Sequence, residues 1–395
     1  MAERLLDTAV VQRLRYVRQL GLAHLVYPGA THSRFEHALG AYHLAGRALR
    51  TLRESEQIGT DAGDEPAIVA AAALLHDVGH YPFSHALEEI GVPNHEVVAR
   101  PLVTEGDVAE VLRTGIAPDA PERVHAIICG ESRSPLAGLV SGSIDLDKID
   151  YLKRDALMCG VPYGEIDEDR LIHAMVVVDD PATGRRRVGI RDKGLAALES
   201  LLFAKYQMYR NVYWHHACRS ATAMYKRLVE VAVADGTVQV GAVSAFTDEG
   251  LLHALDASAN PAVRSLLEAI RTRRLYKRAF EAPAAHLDMD ALEWISDDRT
   301  RTRRAEDALA SALRLPAGDV LLDFPAKTQM LGLDLPVLAR DGTVRHLSHE
   351  GMPGAIDLPR MSEELYRSAR CLRVFTSERT VAERSTVLGV LQNSY

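Results

Sequence analysis

Histidine and aspartate, the side chains that combine acid–base chemistry with metal binding, are concentrated near the start of this 395-residue chain. Imidazole titrates near neutral pH and is a common metal ligand, so a cluster of histidines is a first indication of a site. Clustering alone is weak, and the surroundings of each histidine must decide its role. Half of the 16 histidines precede residue 100, namely His24, His32, His37, His43, His76, His80, His85 and His95.

The dyad His76-Asp77 stands out because it ends an apolar run, in the segment AAALLHDVGHYPFSH. An ionised carboxylate in such surroundings is costly unless it is paired or bound to a cation. Neighbouring helix residues point about 100° apart, but at the end of a helix both can approach one ion. The alternative is structural: Asp77 caps the following turn, and His76 is a hydrogen-bonded core residue.

A second histidine pair lies in THSRFEH, where His32 and His37 are five residues apart. That spacing puts the two side chains on different faces of a helix, so only one of them is expected to bind an ion. His37 lies well inside the helix predicted over 34–53 and is the better candidate.

Acidic residues form a third motif, IDLDKIDYLKRD. Asp147, Asp150 and Tyr151 follow at i, i+3 and i+4, and Lys148 and Asp155 extend the same stripe. Isoleucine and leucine are interspersed with these charges, which indicates partial burial and disfavours a fully solvated face. Two imidazoles with two carboxylates make a mixed N/O ligand set, better suited to Mn, Fe, Zn or Mg than to copper.

The hydrophobic pattern predicts that mainly helices position these motifs. Two β-rich runs, 173–178 and 187–191, flank DDPATGR and predict a β-hairpin on the helical body. Beyond about residue 280, the runs GDVLLDF, DLPVLA and RCLRVFT alternate with Arg-rich helices and predict a smaller α+β subdomain. An acidic loop is expected at 54–66. The predicted helices cover residues 5–20, 34–53, 67–75, 83–90, 94–104, 106–114, 121–129, 144–158 and 192–235.

Length and composition set the organisation of the chain. At 43.3 kDa it exceeds one ordinary core, and we divide it into a catalytic domain, 1–235, and a helical and α+β C-terminal subdomain, 236–395. The net charge of −8 disfavours nucleic acid as a partner. Two basic clusters, 271–274 and 299–304, are therefore interpreted as solvated faces or subunit contacts.

The cellular setting follows from what the sequence lacks. Four cysteines without a CxxC pair predict reduced thiols and disfavour a cysteine-based zinc site. The N-terminus carries charges throughout and shows no signal-peptide pattern. The longest purely apolar run of the whole chain, 68–75, is far shorter than the roughly 20 residues of a membrane span. We expect a soluble cytoplasmic protein without membrane contact.

Four blocks in order between residues 7 and 220 resemble one enzyme family: QRLRYVRQLG, VYPGATHSRFEHALG, LLHDVGHYPFSH and IDLDKIDYLKRD. They resemble the HD-domain deoxynucleoside triphosphate (dNTP) triphosphohydrolases, within the HD-domain phosphohydrolase superfamily. This group includes the mammalian sterile-alpha-motif/HD-domain enzyme and its bacterial relatives. The resemblance implies an HD-domain helical fold, mainly α. No motif extends it beyond about residue 235.

The resemblance also implies the chemistry. One divalent ion (Mn, Mg, Fe or Zn) is bound by His37, His76, Asp77 and Asp147, and a further Mg accompanying the nucleotide is left open. Water attacks the α-phosphorus and displaces intact triphosphate, leaving a deoxynucleoside. Such phosphoryl chemistry depends mainly on positioning and charge neutralisation.

By the same resemblance, four residues are catalytic. His85 donates a proton or orients the nucleophile, and His80 contacts the α-phosphate. His95, held by the neighbouring carboxylate of Glu96, tunes or relays the proton. The alternative for His80 and His85 is support of the metal ligands.

The substrate contacts implied by the resemblance divide between phosphate and sugar. Arg34, Lys148 and Arg210 are assigned to the phosphates. The remaining assignments concern the sugar: Tyr151 and Asp155 contact it, Gln19 touches the 3′-hydroxyl, and Leu20 crowds out a 2′-hydroxyl. For Gln19 and Leu20, ordinary helix packing is the alternative.

A regulatory nucleotide site, for GTP or a dNTP, is left open. Because the sequence starts at Met1, we expect it to be without the segment that completes this pocket in the mammalian enzyme and without the sterile-alpha-motif domain. Glu88 stands where that enzyme has aspartate, and the aromatic that stacks on the base is replaced near Cys218. Constitutive activity and nucleotide activation are therefore equal alternatives. The positions that match the regulatory site are Asp7, Gln12, Arg15, Arg170, Arg191 and Lys193.

Two other functions are weighed against dNTP hydrolysis. An HD phosphohydrolase could act on another phosphoester, such as a monophosphate, a ribonucleotide or an alarmone, and would release orthophosphate or pyrophosphate. A catalytically idle nucleotide sensor or nucleic-acid-binding module would lack a metal ligand or a phosphate-binding residue, and this sequence keeps them all. The family resemblance further implies a homodimer or homotetramer.

Overall fold

The computed structural model describes residues 1–59, 62–325, 334–347 and 356–393. Within these ranges the protein is mainly helical, as predicted, with two small sheets. Residues 60 and 61 of the expected acidic loop lie outside the described residues. The α-helices, numbered α1 to α18 in chain order, are Ala2–Leu6, Ala9–Arg13, Arg34–Glu54, Glu65–Leu75, His95–Thr104, Gly106–Gly115, Ala120–Ile128, Gly138–Ser141, Leu146–Cys159, Glu168–Ala174, Leu195–Met208, His216–Ala234, Asp248–Asp256, Pro261–Arg271, Trp294–Asp297, Arg299–Leu313, Leu358–Ala369 and Arg384–Gln392.

Three helices, α3, α4 and α9, form the frame of the site. Helix α3 begins where the Ser33 backbone N–H donates to the Glu36 carboxylate at 2.6 Å, which satisfies one exposed donor of the first turn. Helix α4 is apolar on nearly all sides and is buried between α3 and α7. Since α9 also packs on α3, the polar ends and edges of all three helices meet at one place.

The helix predicted over 5–20 is wrong as a single element. The chain forms α1, α2 and a 3₁₀ turn, Leu14–Tyr16, in its place. Thr8 adopts an extended backbone (φ −72°, ψ 144°), and its hydroxyl donates to the Leu5 carbonyl at 2.7 Å. This local side-chain hydrogen bond competes with helix continuation.

The long helix predicted over 192–235 is also interrupted. Helix α11 ends at Met208 and passes into a π-helical turn, Tyr209–Tyr213, before α12 starts at His216. The backbone N–H of Trp214 donates to the Tyr209 carbonyl at 2.7 Å, which closes the wide turn. Neither Gly nor Pro marks this break in the sequence. Aromatic packing accompanies it instead: the ring centroids of Trp214 and Tyr209 lie 4.9 Å apart.

The predicted β-hairpin is confirmed as strands β1, Met175–Asp180, and β2, Arg185–Arg191, paired antiparallel. It is half of a larger sheet, however. Strand β5, Leu335–Leu338, runs parallel to β2 and pairs with β6, Val344–Leu347, giving the order β1-β2-β5-β6. The sequence pattern is local and could not show that strands 145 residues later complete this sheet.

The other predicted β runs are also strands. GDVLLDF contains β4, Val320–Asp323, and RCLRVFT contains β7, Cys371–Thr376. They join β3, Lys277–Pro283, in a sheet of order β3-β7-β4. Strand β7 is central and buried along its whole length, which explains its nearly continuous apolar sequence.

Several apolar cores hold the chain together. The largest surrounds α3, α4 and α9, and it includes Leu335 and Val337 from β5. A second surrounds α12 and combines Phe83 with Leu251. The division into two domains at residue 235 stays a prediction, since these cores contain residues from both sides of that position. None of the described helices combines the length and apolar character needed to cross a bilayer.

Candidate active site

A cavity of about 390 Å³ opens where α3, α4 and α9 meet. The C-terminal end of α4 delivers His76 and Asp77, and the start of α3 supplies Arg34. The first turns of α9 and the helical segment after α4 contribute the remaining polar walls. The lining residues are Gln19, Arg34, His76, Asp77, His80, His85, His95, Glu96, Ile128, Cys129, Gly130, Val140, Ser141, Gly142, Asp145, Asp147, Lys148 and Tyr151.

Three side chains, those of His37, His76 and Asp147, are close enough to share a metal ion. Nε2 of His37 lies 2.8 Å from an Asp147 oxygen and 3.2 Å from Nε2 of His76. Asp77 completes the group, with its carboxylate 3.3 Å from Nε2 of His76. The four ligands implied by the sequence resemblance therefore converge; their role as ligands stays a prediction.

The outer nitrogens of both imidazoles are held by other groups. Nδ1 of His37 hydrogen-bonds Asp150 at 2.8 Å, and Nδ1 of His76 lies 2.9 Å from the Ala73 carbonyl. Such bonds leave the Nε2 lone pairs directed to the common point, as in metal sites whose histidines are oriented by a carboxylate or carbonyl. The donor set therefore fits a divalent cation.

The electrostatics of the cluster agree with this fit. Burial opposes protonation of His37, yet hydrogen bonds with Asp147 and Asp150 raise its pKa to about 10. Burial also opposes ionisation of Asp77, but the charges of Arg34 and its neighbouring histidines hold the pKa of Asp77 well below its usual range. A site that attracts a proton so strongly also attracts a divalent cation, which can replace that proton.

His32, the other histidine of THSRFEH, lies outside this cluster. Its Nε2 is 2.8 Å from a carboxylate oxygen of Asp155, and the second oxygen of Asp155 accepts from the Tyr213 hydroxyl at 2.7 Å. Of the two histidines only His37 lies in the cluster, but the reason given from the sequence is wrong: His32 precedes α3, which begins at Arg34, so the two do not share a helix. Asp155 is buried and hydrogen-bonded beneath the cavity wall.

A second group of titratable side chains consists of His80, His85, Glu88 and His95. The three histidines line the same cavity, and Glu88 lies outside its lining. The rings of His80 and His95 stack at 3.7 Å between centroids. Glu88 accepts from Nδ1 of His95 at 2.7 Å and from Nδ1 of His85 at 3.0 Å. One carboxylate therefore orients two imidazoles.

The carboxylate that holds His95 is Glu88, and the sequence expectation of Glu96 is wrong on this point. Glu96 follows His95 on α5 and therefore points about 100° away from it. It lines the cavity, and its backbone N–H donates to the Asn94 side chain at 3.0 Å. The spacing of three between His85 and Glu88 was the available signal.

Burial and hydrogen bonding shift the acid–base behaviour of this group. Burial would raise the pKa of Glu88, but hydrogen bonds from His85 and His95 hold it well below its usual range. Desolvation by the surrounding cavity walls lowers the pKa of His85 although its side chain is 59% exposed, and the Glu88 carboxylate partly offsets that effect. Burial and the Arg34 charge hold the pKa of His80 well below its usual range. Both shifts favour the neutral imidazoles of His80 and His85 near pH 7.

Asp77 connects the two groups. Its Oδ1 lies 3.1 Å from Nε2 of His80, and its Oδ2 accepts from the Arg34 guanidinium at 2.5 Å. Arg34, 2% exposed, also donates to the Ser84 hydroxyl at 3.1 Å. A buried cation therefore lies beside the proposed metal ligands, where a phosphate would also be held.

The remaining predicted substrate contacts divide into two sets. Gln19, Lys148 and Tyr151 line the cavity. Leu20 is not among the lining residues and packs against neighbouring apolar cores. Arg210 is on the π-helical turn, outside the lining, and its guanidinium donates to the Tyr206 hydroxyl at 2.6 Å. For Arg210, a contact with bound phosphate requires a different side-chain position.

The six predicted regulatory residues lie outside the cavity. Gln12 and Arg15 hydrogen-bond each other at 2.8 Å, and Asp7 is exposed after α1. In the other group, the Arg170 side chain donates to the Lys193 carbonyl at 3.1 Å. The sixth residue, Arg191, lines a separate groove on β1 and β2. A regulatory role stays a prediction for each.

Sequence reasoning missed seven of the residues that line the cavity, and two of these, Asp145 and Cys129, carry titratable side chains. Asp145 caps α9 by accepting from the Lys148 backbone N–H at 2.9 Å, and it also pairs with the Lys148 side chain. An aspartate just before a helix was the available signal. Cys129 lies 3.3 Å from Nε2 of His125, and no motif distinguished it.

Comparison with known proteins gives two family matches. The HD domain matches residues 34–155, and the HD associated region matches residues 166–352. An uncharacterized protein of Methanocaldococcus jannaschii is 34% identical over 293 residues, covering 74% of this chain and 58% of that protein. The deoxynucleoside triphosphate triphosphohydrolase SAMHD1 of Gallus gallus is 30% identical over 246 residues, covering 54% and 40%.

The fold also has a solved counterpart. A hypothetical protein from Aquifex aeolicus superposes with a TM-score of 0.72 at 28% identity, covering 95% of this chain and 92% of that one. In contrast, the chain spans about half the length of the curated relatives it matches, 58% and 40% in the two cases above. The activities and assemblies of those longer proteins are therefore not assigned to this chain by similarity alone.

Proposed function

This chain belongs to the HD-domain family, and we propose that it hydrolyses dNTPs to a deoxynucleoside and inorganic triphosphate, using one divalent metal ion. One observation carries the proposal. His76, Asp77 and Asp147 line one cavity together with His80, His85 and His95. Asp77 contacts both His76 and His80. Phosphoryl transfer needs charge neutralisation and a proton donor close together, which this arrangement supplies.

The ion would be held by His37, His76, Asp77 and Asp147. When bound, it supplies positive charge for the phosphate oxygens and lowers the pKa of a coordinated water. Mixed nitrogen and oxygen donors suit Mn, Fe, Zn or Mg. A further Mg would arrive with the nucleotide.

Two basic side chains would bind the phosphates. Arg34 is buried and fixed by Asp77 and Ser84, so its guanidinium is already oriented. Lys148 is 20% exposed and bonded to the Gly142 carbonyl at 3.0 Å, with Asp145 as its ionic partner. Its flexible stem allows the ammonium group to turn from Asp145 to an incoming phosphate.

In the proposed reaction, water forms a bond to the α-phosphorus, and the bond between that phosphorus and the 5′ oxygen breaks. The 5′ oxygen takes a proton, which His85 is placed to donate. Glu88 hydrogen-bonds Nδ1 of His85, so the other ring nitrogen, Nε2, would be the one that contacts the substrate. His95 shares Glu88 and would return to His85 the proton that the attacking water loses, whereas His80, next to Asp77, would contact the α-phosphate.

The sugar would lie between Gln19 and Tyr151. Gln19 is 9% exposed and its side-chain oxygen has no hydrogen-bond partner among the described residues, so it is available to a sugar hydroxyl. Tyr151 also lines the cavity. Asp155, which accepts from the hydroxyl of Tyr213 beside Tyr151, would contact the sugar as well. Leu20 would exclude a 2′-hydroxyl by its bulk, acting from behind Gln19.

Activation and assembly complete the proposal. Activation by GTP or a dNTP at the predicted regulatory residues and constitutive activity stay equal alternatives, and subunits would form a homodimer or homotetramer. The relatives named as dNTP triphosphohydrolases support the substrate class. Addition of GTP to purified protein tests activation, and mass measurement of the native protein tests assembly.

Product analysis tests the function itself. The protein is incubated with mixed dNTPs and Mn or Mg, with and without GTP, and the products are followed by phosphorus NMR. Intact triphosphate with free deoxynucleoside is the expected result. Orthophosphate or pyrophosphate would favour an HD phosphohydrolase with another substrate, and absence of any product would favour a nucleotide sensor.

A further inference from the structure

The turn that delivers His85 to the cavity has an unfavourable backbone. Phe83 and Ser84, which directly precede His85, have φ values of 59° and 67°. This left-handed region is sterically costly for residues with a Cβ atom, and two in succession are rarer still. Such a conformation persists only where the surrounding structure holds it.

The group that holds it is Asp248, the first residue of α13. Its Oδ1 accepts from the Phe83 backbone N–H at 2.7 Å, and its Oδ2 accepts from the Arg18 backbone N–H at 3.0 Å. The side chain is 2% exposed. One buried carboxylate therefore binds two backbone segments that are distant in sequence.

Each bound segment leads directly to the cavity. Arg18 precedes Gln19, and Phe83 stands two residues before His85. The Ser84 hydroxyl lies 2.7 Å from the Arg18 carbonyl and 2.8 Å from that of Gln19. The two segments are thus joined to each other as well as to Asp248.

Close packing reinforces this junction at Gly21. A Cβ atom added to Gly21 would lie 2.7 Å from the Phe83 carbonyl oxygen, and Gly21 itself has a φ of 54°. Only glycine allows this approach without displacement. The position of the turn relative to the segment 18–21 is therefore fixed by packing as well as by hydrogen bonds.

We infer that Asp248 is a positioning residue of the active site, which fixes the proton-donating His85 relative to the sugar-binding Gln19 by bridging the two backbones. This inference rests on the proposed function for the roles of those two side chains. It assigns a task to α13, a segment in which the sequence shows no motif. Misplacement of a reacting group by about 1 Å can lower a rate by about 100-fold.

The test compares Asp248→Asn with Asp256→Asn at the other end of the same helix. Asparagine keeps the size of the side chain but has only one oxygen acceptor for the two N–H donors. Asp256 is exposed and pairs with Arg271 at the surface, so its substitution should change nothing measured here. Turnover of dNTPs, bound metal per chain and backbone hydrogen exchange are measured for both variants.

The expected result for Asp248→Asn is a kcat about 10- to 100-fold lower, with bound metal unchanged. Exchange of the Phe83 amide should be about tenfold faster or more, while α14, which packs on α13, keeps its protection. Unchanged kcat with unchanged Phe83 exchange would overturn the inference. Loss of metal together with protection throughout α13 and α14 would also overturn it, because Asp248 would then stabilise the fold in general.

Two further outcomes are covered by the exchange measurement. If Asp248→Asn does not fold, the wild-type protein decides: the Phe83 and Arg18 amides must be among the protected ones, and rapid exchange of either would refute the bridge. If the wild-type protein hydrolyses no dNTP, the proposed function fails. The exchange of Phe83 in the two variants then still tests the bridge separately.

Discussion

Removing the charge of Glu88 tests the acid–base group most selectively. The substitution Glu88→Gln keeps the shape of the side chain and replaces the carboxylate that now accepts from His85 and His95. His85 must be protonated to donate to the leaving 5′ oxygen. Because the Glu88 charge raises the pKa of His85, its loss lowers that pKa and depletes the protonated form as the pH rises.

The size of the effect follows from the hydrogen bond between the two groups. A hydrogen bond to a charged group contributes about 1.5–3 kcal/mol, against about 0.5–1.5 kcal/mol for a neutral pair. The His85 side chain is 59% exposed, so solvent screening favours the lower end of the difference. About 1.4 kcal/mol corresponds to one pKa unit. We therefore expect the basic limb of the kcat profile to move about one unit to lower pH.

The assay is a pH profile of dNTP turnover for the wild type, Glu88→Gln and Glu96→Gln. Above the wild-type basic limb, Glu88→Gln should have a kcat at least about tenfold lower. Glu96→Gln should move the limb less, since Glu96 does not hold His95. The reasoning would be refuted if Glu88→Gln left the limb in place, or if Glu96→Gln shifted it as far.

Three further substitutions test other parts of the structure. Asp77→Ala should abolish metal binding and turnover together, as followed by elemental analysis and product assay; a variant that lost metal but kept full activity would contradict the mechanism. Leu20→Ala should increase ribonucleotide turnover relative to dNTP turnover by about tenfold, and unchanged discrimination would remove Leu20 from the site. Asp323→Ala leaves the buried Arg219 without one of its two carboxylate partners and should lower the free energy of unfolding by about 3–5 kcal/mol in urea titration. A loss below about 1 kcal/mol would show that Glu89 alone is a sufficient partner for Arg219.

Local rules and the family resemblance together predict the convergence of His37, His76, Asp77 and Asp147. His76 and Asp77 end an apolar helix, so burial forces their polar atoms toward a shared partner. Asp147 lies in the first turn of α9 and His37 in that of α3, where the helical repeat fixes their direction. Periodicity and burial favour His37, His76 and Asp77, whereas the choice of Asp147 from its acidic stripe comes from the resemblance.

Long-range contacts account for what sequence did not predict. The partner of His95 is Glu88, seven residues earlier, because the chain changes direction at Gly91 (φ 88°), between the two residues. Asp248 contacts the left-handed turn at Phe83 from 165 residues away in sequence. No local pattern encodes either contact, since both depend on how separate elements pack.

The interrupted helices illustrate the same limit on a smaller scale. The break between α11 and α12 contains neither proline nor glycine, and the His215 side chain caps α12 by accepting from the Ala217 N–H at 3.3 Å. Histidine is an uncommon cap, so helix propensity favoured continuation through this point. Packing of Trp214 against Tyr209 outweighs that small propensity difference.

In the proposed reaction, water attacks the α-phosphorus and displaces intact triphosphate. Hydrolysis of a dNTP in ¹⁸O-labelled water, with the products analysed by mass spectrometry, shows which phosphorus is attacked. We expect one ¹⁸O atom in the released triphosphate and none in the deoxynucleoside. Label in orthophosphate or pyrophosphate, with a deoxynucleoside mono- or diphosphate as the other product, would contradict it.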